Sequence, residues 1–160
     1  MADPIRIANC SGFFGDRQSA AREMVEGGPI DVLTGDWLAE LTMLILARTR
    51  MKRPGGGYAH TFVKQMEEVM GTCLDRGIKV VSNAGGLDPD GCAAAVAEVA
   101  QKLGLHPKIA YVRGDDLVAR GAVEPIRNPI DAHRGGDGEP EADARCARRG
   151  EDGPRLLGTE

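Results

Sequence analysis

The chain has 160 residues, a net charge of −4 and a pI near 5.4, and 42% of its residues are hydrophobic. That length fits one domain with an ordinary core, and the acidic balance argues against a phosphate-backbone partner, so no nucleic acid is expected. No basic segment followed by a long apolar run opens the chain, and the longest apolar run, Trp37–Ala47, is broken by Glu40 and Thr42, well short of the ~20 residues that span a bilayer; the expectation is a cytoplasmic protein that makes no contact with a membrane.

In chain order, Ile5–Ala8 reads as a strand ending at Asn9, and Arg17–Val25 carries apolar residues at helical spacing with Asp16 as its cap. Gly27-Gly28-Pro29 ends that helix. Ile30–Leu33 is a second strand, closed by Thr34-Gly35-Asp36. From Trp37 to about Arg48 the pattern is a helix capped by Asp36 and apolar nearly all round, which predicts burial between other elements. After Pro54-Gly55-Gly56-Gly57, a helix over His60–Leu74 puts Phe62, Met66, Val69, Met70 and Cys73 on one stripe. Ile78–Ser82 is the third strand. Asp88-Pro89-Asp90 then supplies a cap, a first-turn proline and an acidic first turn for a helix that Gly104 ends. Lys108–Val112 reads as a fourth strand, stopping at Gly114-Asp115-Asp116.

Strands separated by helical crossovers run parallel. The fold class is therefore α/β: a Rossmann-like three-layer sandwich on a mainly parallel sheet of about four strands, occupying residues 1–125. Beyond that point Gly, Pro, Arg, Asp and Glu dominate. Such a composition buries too little apolar surface to offset chain entropy, so 126–160 is expected as a disordered tail.

In an open parallel sheet ligands bind beyond the carboxyl ends of the strands. Every strand end here carries small or polar residues, and this is the central functional expectation. The ligand-binding candidates are Asn9, Ser11, Gly12, Gly35, Asp36, Asn83, Gly85 and Gly86, whose glycines allow close backbone approach. Asp16, Asp36, Asp88, Asp115 and Asp116 would, if gathered, hold a divalent metal or shift one another's acidity. Asp115 and Asp116 are the acid/base candidates, and Cys10 at the first strand end is a candidate nucleophile without an evident histidine base. Ser11-Gly12-Phe13-Phe14-Gly15-Asp16 lacks the G-x-G-x-x-G pattern, which argues against a dinucleotide. The four cysteines form no C-x-x-C pair, and small reduced core residues is their ordinary reading. Arg48, Arg50, Lys52 and Arg53 complement a helix C-terminus or clamp a phosphate.

Four blocks, Arg6-Ile-Ala-Asn-Cys-Ser-Gly-Phe-Phe-Gly-Asp-Arg17, Ile30-Asp-Val-Leu-Thr-Gly-Asp-Trp-Leu-Ala-Glu-Leu-Thr-Met43, Val80-Val-Ser-Asn-Ala-Gly-Gly-Leu87 and Tyr111-Val-Arg-Gly-Asp-Asp116, together resemble the N-terminal part of the acyclic terpene utilisation (AtuA-type) family over residues 5–118. The resemblance implies a role in the breakdown of acyclic isoprenoids such as citronellol and geraniol, by a route through acyl-CoA intermediates, and hence a small acyl or acyl-CoA ligand. It supplies no established catalytic residue to carry over. It also implies further α/β structure where this chain turns Arg/Gly/Asp-rich near residue 120. Two other readings follow from the resemblance: an interaction subunit that docks an acyl-CoA carboxylase component or a second copy of itself, and a truncated, inactive fragment.

Overall fold

A computed structural model describes residues 3–53 and 55–114. Asp115, Asp116, the boundary near 125 and the tail expected from 126 lie outside the described residues. The described elements are β1 (Ile7–Asn9), α1 (Ala20–Glu26), β2 (Val32–Gly35), α2 (Glu40–Lys52), α3 (His60–Asp75), β3 (Lys79–Ser82) and α4 (Pro89–Leu103).

The three strands pair in the order β1-β2-β3, both pairs parallel. The register aligns Ala8 with Leu33 and Leu33 with Val80. These three residues face inward, and Leu33 is fully buried. Their neighbours Ile7 and Val81, one residue along, point the other way and are 65% and 61% exposed.

That one-sidedness follows from topology. Each crossover moves one strand further in the same direction, and right-handed connections of that kind put every crossover helix on the same face. Helices α1 and α3 pack together, α3 packs against α4, and α1 also lies against β1 and β2. Their apolar stripes, Ala21 and Val25, Phe62, Met66 and Val69, and Val96 and Val99, join Leu33 in one core. Among the described residues this makes two layers, not the three expected.

Local chemistry sets the helix ends. The start of α4 is as read: the Asp88 side chain accepts from Gly91 N–H at 2.9 Å, with Pro89 in the first turn. The other two capping expectations are corrected. Ser19 precedes α1 and Ala39 precedes α2, neither with a side-chain cap, because the Asp16 and Asp36 carboxylates are engaged elsewhere. The helix expected from Trp37 begins three residues later, after an extended Ala39.

Lys108–Val112 forms no strand. Two of its side chains serve the core instead, Ile109 being buried and Tyr111 packed against the cluster, while Val112 is exposed. Alternating apolar residues announce partial burial, which a segment reaches without belonging to a strand.

At the amino end of the sheet, Arg6 and Asp31 tie β1 to β2. The Asp31 carboxylate accepts from Arg6 N–H at 2.7 Å and from the guanidinium at 2.9 and 3.0 Å. These bonds hold the Asp31 pKa down at about 2. A depressed carboxylate stabilises the fold fully above its unfolded value, about 3.9, and that contribution is lost as the pH falls through 2. Asp31→Asn is expected to flatten the dependence of melting temperature on pH in the acid range between those values. Thermal melts at low salt check it, since both groups are solvent-exposed and screened.

Candidate functional site

The carboxyl ends of the three strands are stitched together by hydrogen bonds between loops. Asp36 N–H donates to Ser11 O at 2.9 Å, joining the ends of β2 and β1. Asn83, just past β3, makes a two-sided contact with the end of β2. Its Nδ2 donates to Asp36 Oδ1 at 2.6 Å and its Oδ1 accepts from Trp37 N–H at 2.8 Å. The Ser82 hydroxyl donates to Gly35 O at 3.1 Å, and the Thr34 hydroxyl lies 3.3 Å from Asn9 Oδ1. Asn9, Ser11, Gly35, Asp36 and Asn83 thus meet on one rim.

Around that rim the loops fold back on themselves. The Asp16 carboxylate accepts from Gly12 N–H at 3.0 Å and from Arg17 N–H at 2.8 Å, bonds that lower its pKa. Gly85 and Gly86 belong to the tight turn after Asn83, in which Gly86 N–H donates to Asn83 O and Asp88 N–H to Gly85 O. The loop before α3 closes over this turn, with Leu87 N–H on Gly57 O and Ala59 N–H on Ala84 O. Gly86 has φ of +51°, and a Cβ there would meet Leu46 Cδ1 at 2.5 Å and Gly57 O at 2.8 Å. Arg50, one of the four clustered cations, donates to Leu87 O at 2.9 Å, so α2 is fastened to the same turn.

Of the acidic groups expected to gather, Asp115 and Asp116 lie outside the described residues, and Asp16, Asp36 and Asp88 are each engaged separately. Among the described residues no three His, Cys, Asp or Glu side chains come together as a metal site. Asp16 is occupied by its own loop, Asp88 by the start of α4 and Asp36 by Asn83.

Cys10 sits beneath the rim and is buried. Desolvation pushes its thiol up to about 11, so at neutral pH it is a thiol rather than a nucleophilic thiolate. Its Sγ donates to Gln65 Oε1 at 3.7 Å. Cys73 and Cys92 are likewise free and buried, raised to about 11 and about 12 by the same cause, in keeping with their reading as reduced core residues.

Two residues that were not among the site candidates read from the sequence complete the floor. Gln65 on α3 is fully buried, and its Nε2 reaches Arg17 O and Gln18 O at 3.4 and 3.3 Å, tying α3 to the segment before α1. Its signal was available: it lies three residues after Phe62, a polar side chain at a core spacing. Trp37 is fully buried, lies edge-on to Phe62, and brings its indole nitrogen close against Gly35. Among the described residues Trp37 Nε1 is the one buried side-chain N or O atom without a hydrogen-bond partner. A Cβ on Gly35 would lie 2.8 Å from that nitrogen and 3.4 Å from Cys10 Sγ. Glycine is therefore required there for close packing.

A family model described as acyclic terpene utilisation family protein AtuA matches residues 5–139, reaching about twenty residues past the point where the resemblance read from the blocks stops. No curated protein and no solved structure matches the chain.

Gly35→Ala is expected to displace the indole ring and cost about 1–3 kcal/mol. Chemical denaturation followed by Trp37 fluorescence measures both, because the chain has a single tryptophan. Cys10, Cys73 and Cys92 are expected to resist alkylation by iodoacetamide at pH 8 in the native state and to react on unfolding, with peptide mass mapping as the readout.

Proposed function

The chain belongs to the acyclic terpene utilisation family AtuA, and from that membership we propose that it binds a small acyl compound of branched, acyclic isoprenoid type, as the free acid or the CoA thioester, at the carboxyl rim of its sheet. The observation that carries this reading is the joint made by Asn83 with Asp36 and Trp37. Together with the Asp36 N–H bond to Ser11 O, it joins candidate binding residues of three separate loops at the edge where parallel sheets receive ligands.

The chemistry of that edge supports the reading. Backbone and side-chain amides dominate it, and grouped carboxylates are absent among the described residues, so a neutral carbonyl or an acid is a better guest than a bare metal ion. Phe13 is exposed and Phe14 and Leu38 are partly buried near the same loops, which gives a branched hydrocarbon chain apolar surface to cover. Cys10 has no part in this reading as a nucleophile, since its proton is held by burial.

Titration with an isoprenoid acyl-CoA, the matching free acid and acetyl-CoA tests the proposal. The branched ligands are expected to change Trp37 fluorescence and to raise the melting temperature, by about 2.7 kcal/mol of stabilisation at a hundred times Kd. Asn83→Ala is expected to weaken binding about tenfold, the loss of one well-placed hydrogen-bonded joint. Equal, absent responses to all three ligands would sink the reading.

A further inference from the structure

Helix α2 is the element whose composition and surroundings disagree. Glu40-Leu-Thr-Met-Leu-Ile-Leu-Ala-Arg-Thr-Arg-Met-Lys52 has apolar residues on every side, and a helix of that kind is normally covered all round. One side is covered. Thr42 and Leu46 are buried, Leu46 lies against Gly86, and Arg50 bonds to Leu87 O. On the opposite side Leu41, Leu44 and Met51 are 68%, 47% and 86% exposed. With Arg48 they fall at successive spacings of three, four and three residues, the a/d spacing of a helix-pairing seam.

We propose that this seam joins two copies of the chain, α2 against α2 in antiparallel orientation. Charge selects both the partner and the direction. The only acidic residue of the helix, Glu40, is in its first turn, whereas Arg48, Arg50 and Lys52 fill its second half and Arg53 follows. Parallel pairing stacks two basic ends on each other. Antiparallel pairing sets the acidic first turn of each copy beside the basic last turns of the other, and opposes the helix dipoles favourably. A second copy supplies that complementary pattern without any further partner.

The same arrangement fixes the register. Leu41 lies over the partner's Met51, Leu44 over the partner's Arg48, and Glu40 is level with the partner's Lys52. Arg48 lays its methylene stem on the seam while its guanidinium reaches water. A polar residue at such a position specifies register at a cost in affinity. A seam of this length, about 20 Å, also buries less than the roughly 800 Å² per partner of a standard stable interface. The dimer is therefore reversible and forms in the micromolar range. This inference is independent of ligand binding at the rim.

Sedimentation equilibrium of the full chain between about 5 and 200 µM tests it. The mass is expected to rise from 17.0 kDa towards twice that value. Leu44→Asp and Met51→Asp are expected to restore the monomer without lowering the melting temperature, since both side chains are exposed. Val81→Asp, on the open face of the sheet, is expected to leave association unchanged. Cysteine pairs read the direction in a Cys146→Ser background. Leu41→Cys combined with Met51→Cys is expected to cross-link two chains, whereas Leu41→Cys alone is not, its two copies lying about 15 Å apart along the seam. A monomer at every concentration overturns the proposal. So does a dimer that survives Leu44→Asp, or cross-linking by Leu41→Cys alone. Protection of α2 from hydrogen exchange in a monomer, or only in a complex with a different protein such as a carboxylase component, assigns the seam another occupant and overturns it too.

Discussion

The joint at Asn83 holds the carboxyl end of the sheet together. One side-chain amide accepts from the backbone of Trp37 and donates to the carboxylate of Asp36, and Asp36 in turn donates its own N–H to Ser11 O. Three loops that are distant in sequence are thereby fixed relative to one another. An amide suits this task because it offers a donor and an acceptor in one rigid plane. An aspartate in its place would present only acceptors and would face Asp36 as a like charge. The position of Trp37 follows from the same contact. Its backbone is anchored by Asn83, so its ring turns under Gly35 into the core, where only a residue without a side chain leaves room for it.

Topology explains the rest of the architecture. A sheet that grows in one direction through right-handed crossovers gathers α1 and α3 on one face, and α4 packs against α3 there. The core is correspondingly one-sided, and Ile7 and Val81 remain on an open face. Helix α2 is set apart from that layer. It is fastened to the turn after β3 by Leu46 and Arg50, and this leaves its outward leucines and methionine bare. Two features of one chain, an amide-rich rim and an apolar helix seam, thus arise from the way the β2-to-β3 connection is arranged.

What the sequence disclosed depended on the range of the forces involved. Helix α4 was legible at both ends because Asp88, Pro89 and Gly104 act within a few residues of themselves. Three strands were legible in place, since short apolar runs before glycine-rich turns leave few alternatives, but β1 and β2 run up to two residues further along than read, so that Thr34 and Gly35 belong to β2 and not to the loop after it. Asp16 and Asp36 looked equally like caps, yet Asp16 is bound by its own loop and Asp36 by Asn83, 47 residues away. No local pattern shows which of several acceptors a carboxylate will meet. Lys108–Val112 carried the composition of a strand, but it forms none, and Ile109 and Tyr111 cover the core while Val112 is exposed. Cys10 was read correctly as lying at a strand end, while its burial and raised pKa depend on α3 arriving above it. Gln65 and the indole nitrogen of Trp37 were not read as part of the site, because Gln65 shares the apolar stripe of α3 and Trp37 opens an apolar run, where a polar atom is easy to overlook.

The central claim is that the turns after β1, β2 and β3 form a single ligand-receiving edge. Backbone amide shifts in a ¹⁵N spectrum, recorded as an isoprenoid acyl-CoA is added, test this most directly. Asn9–Gly12, Gly35–Trp37 and Asn83–Gly86 are expected to move together with one shared affinity. Shifts confined to one of those turns, or centred on Arg6 and Asp31 at the other end of the sheet, would contradict it.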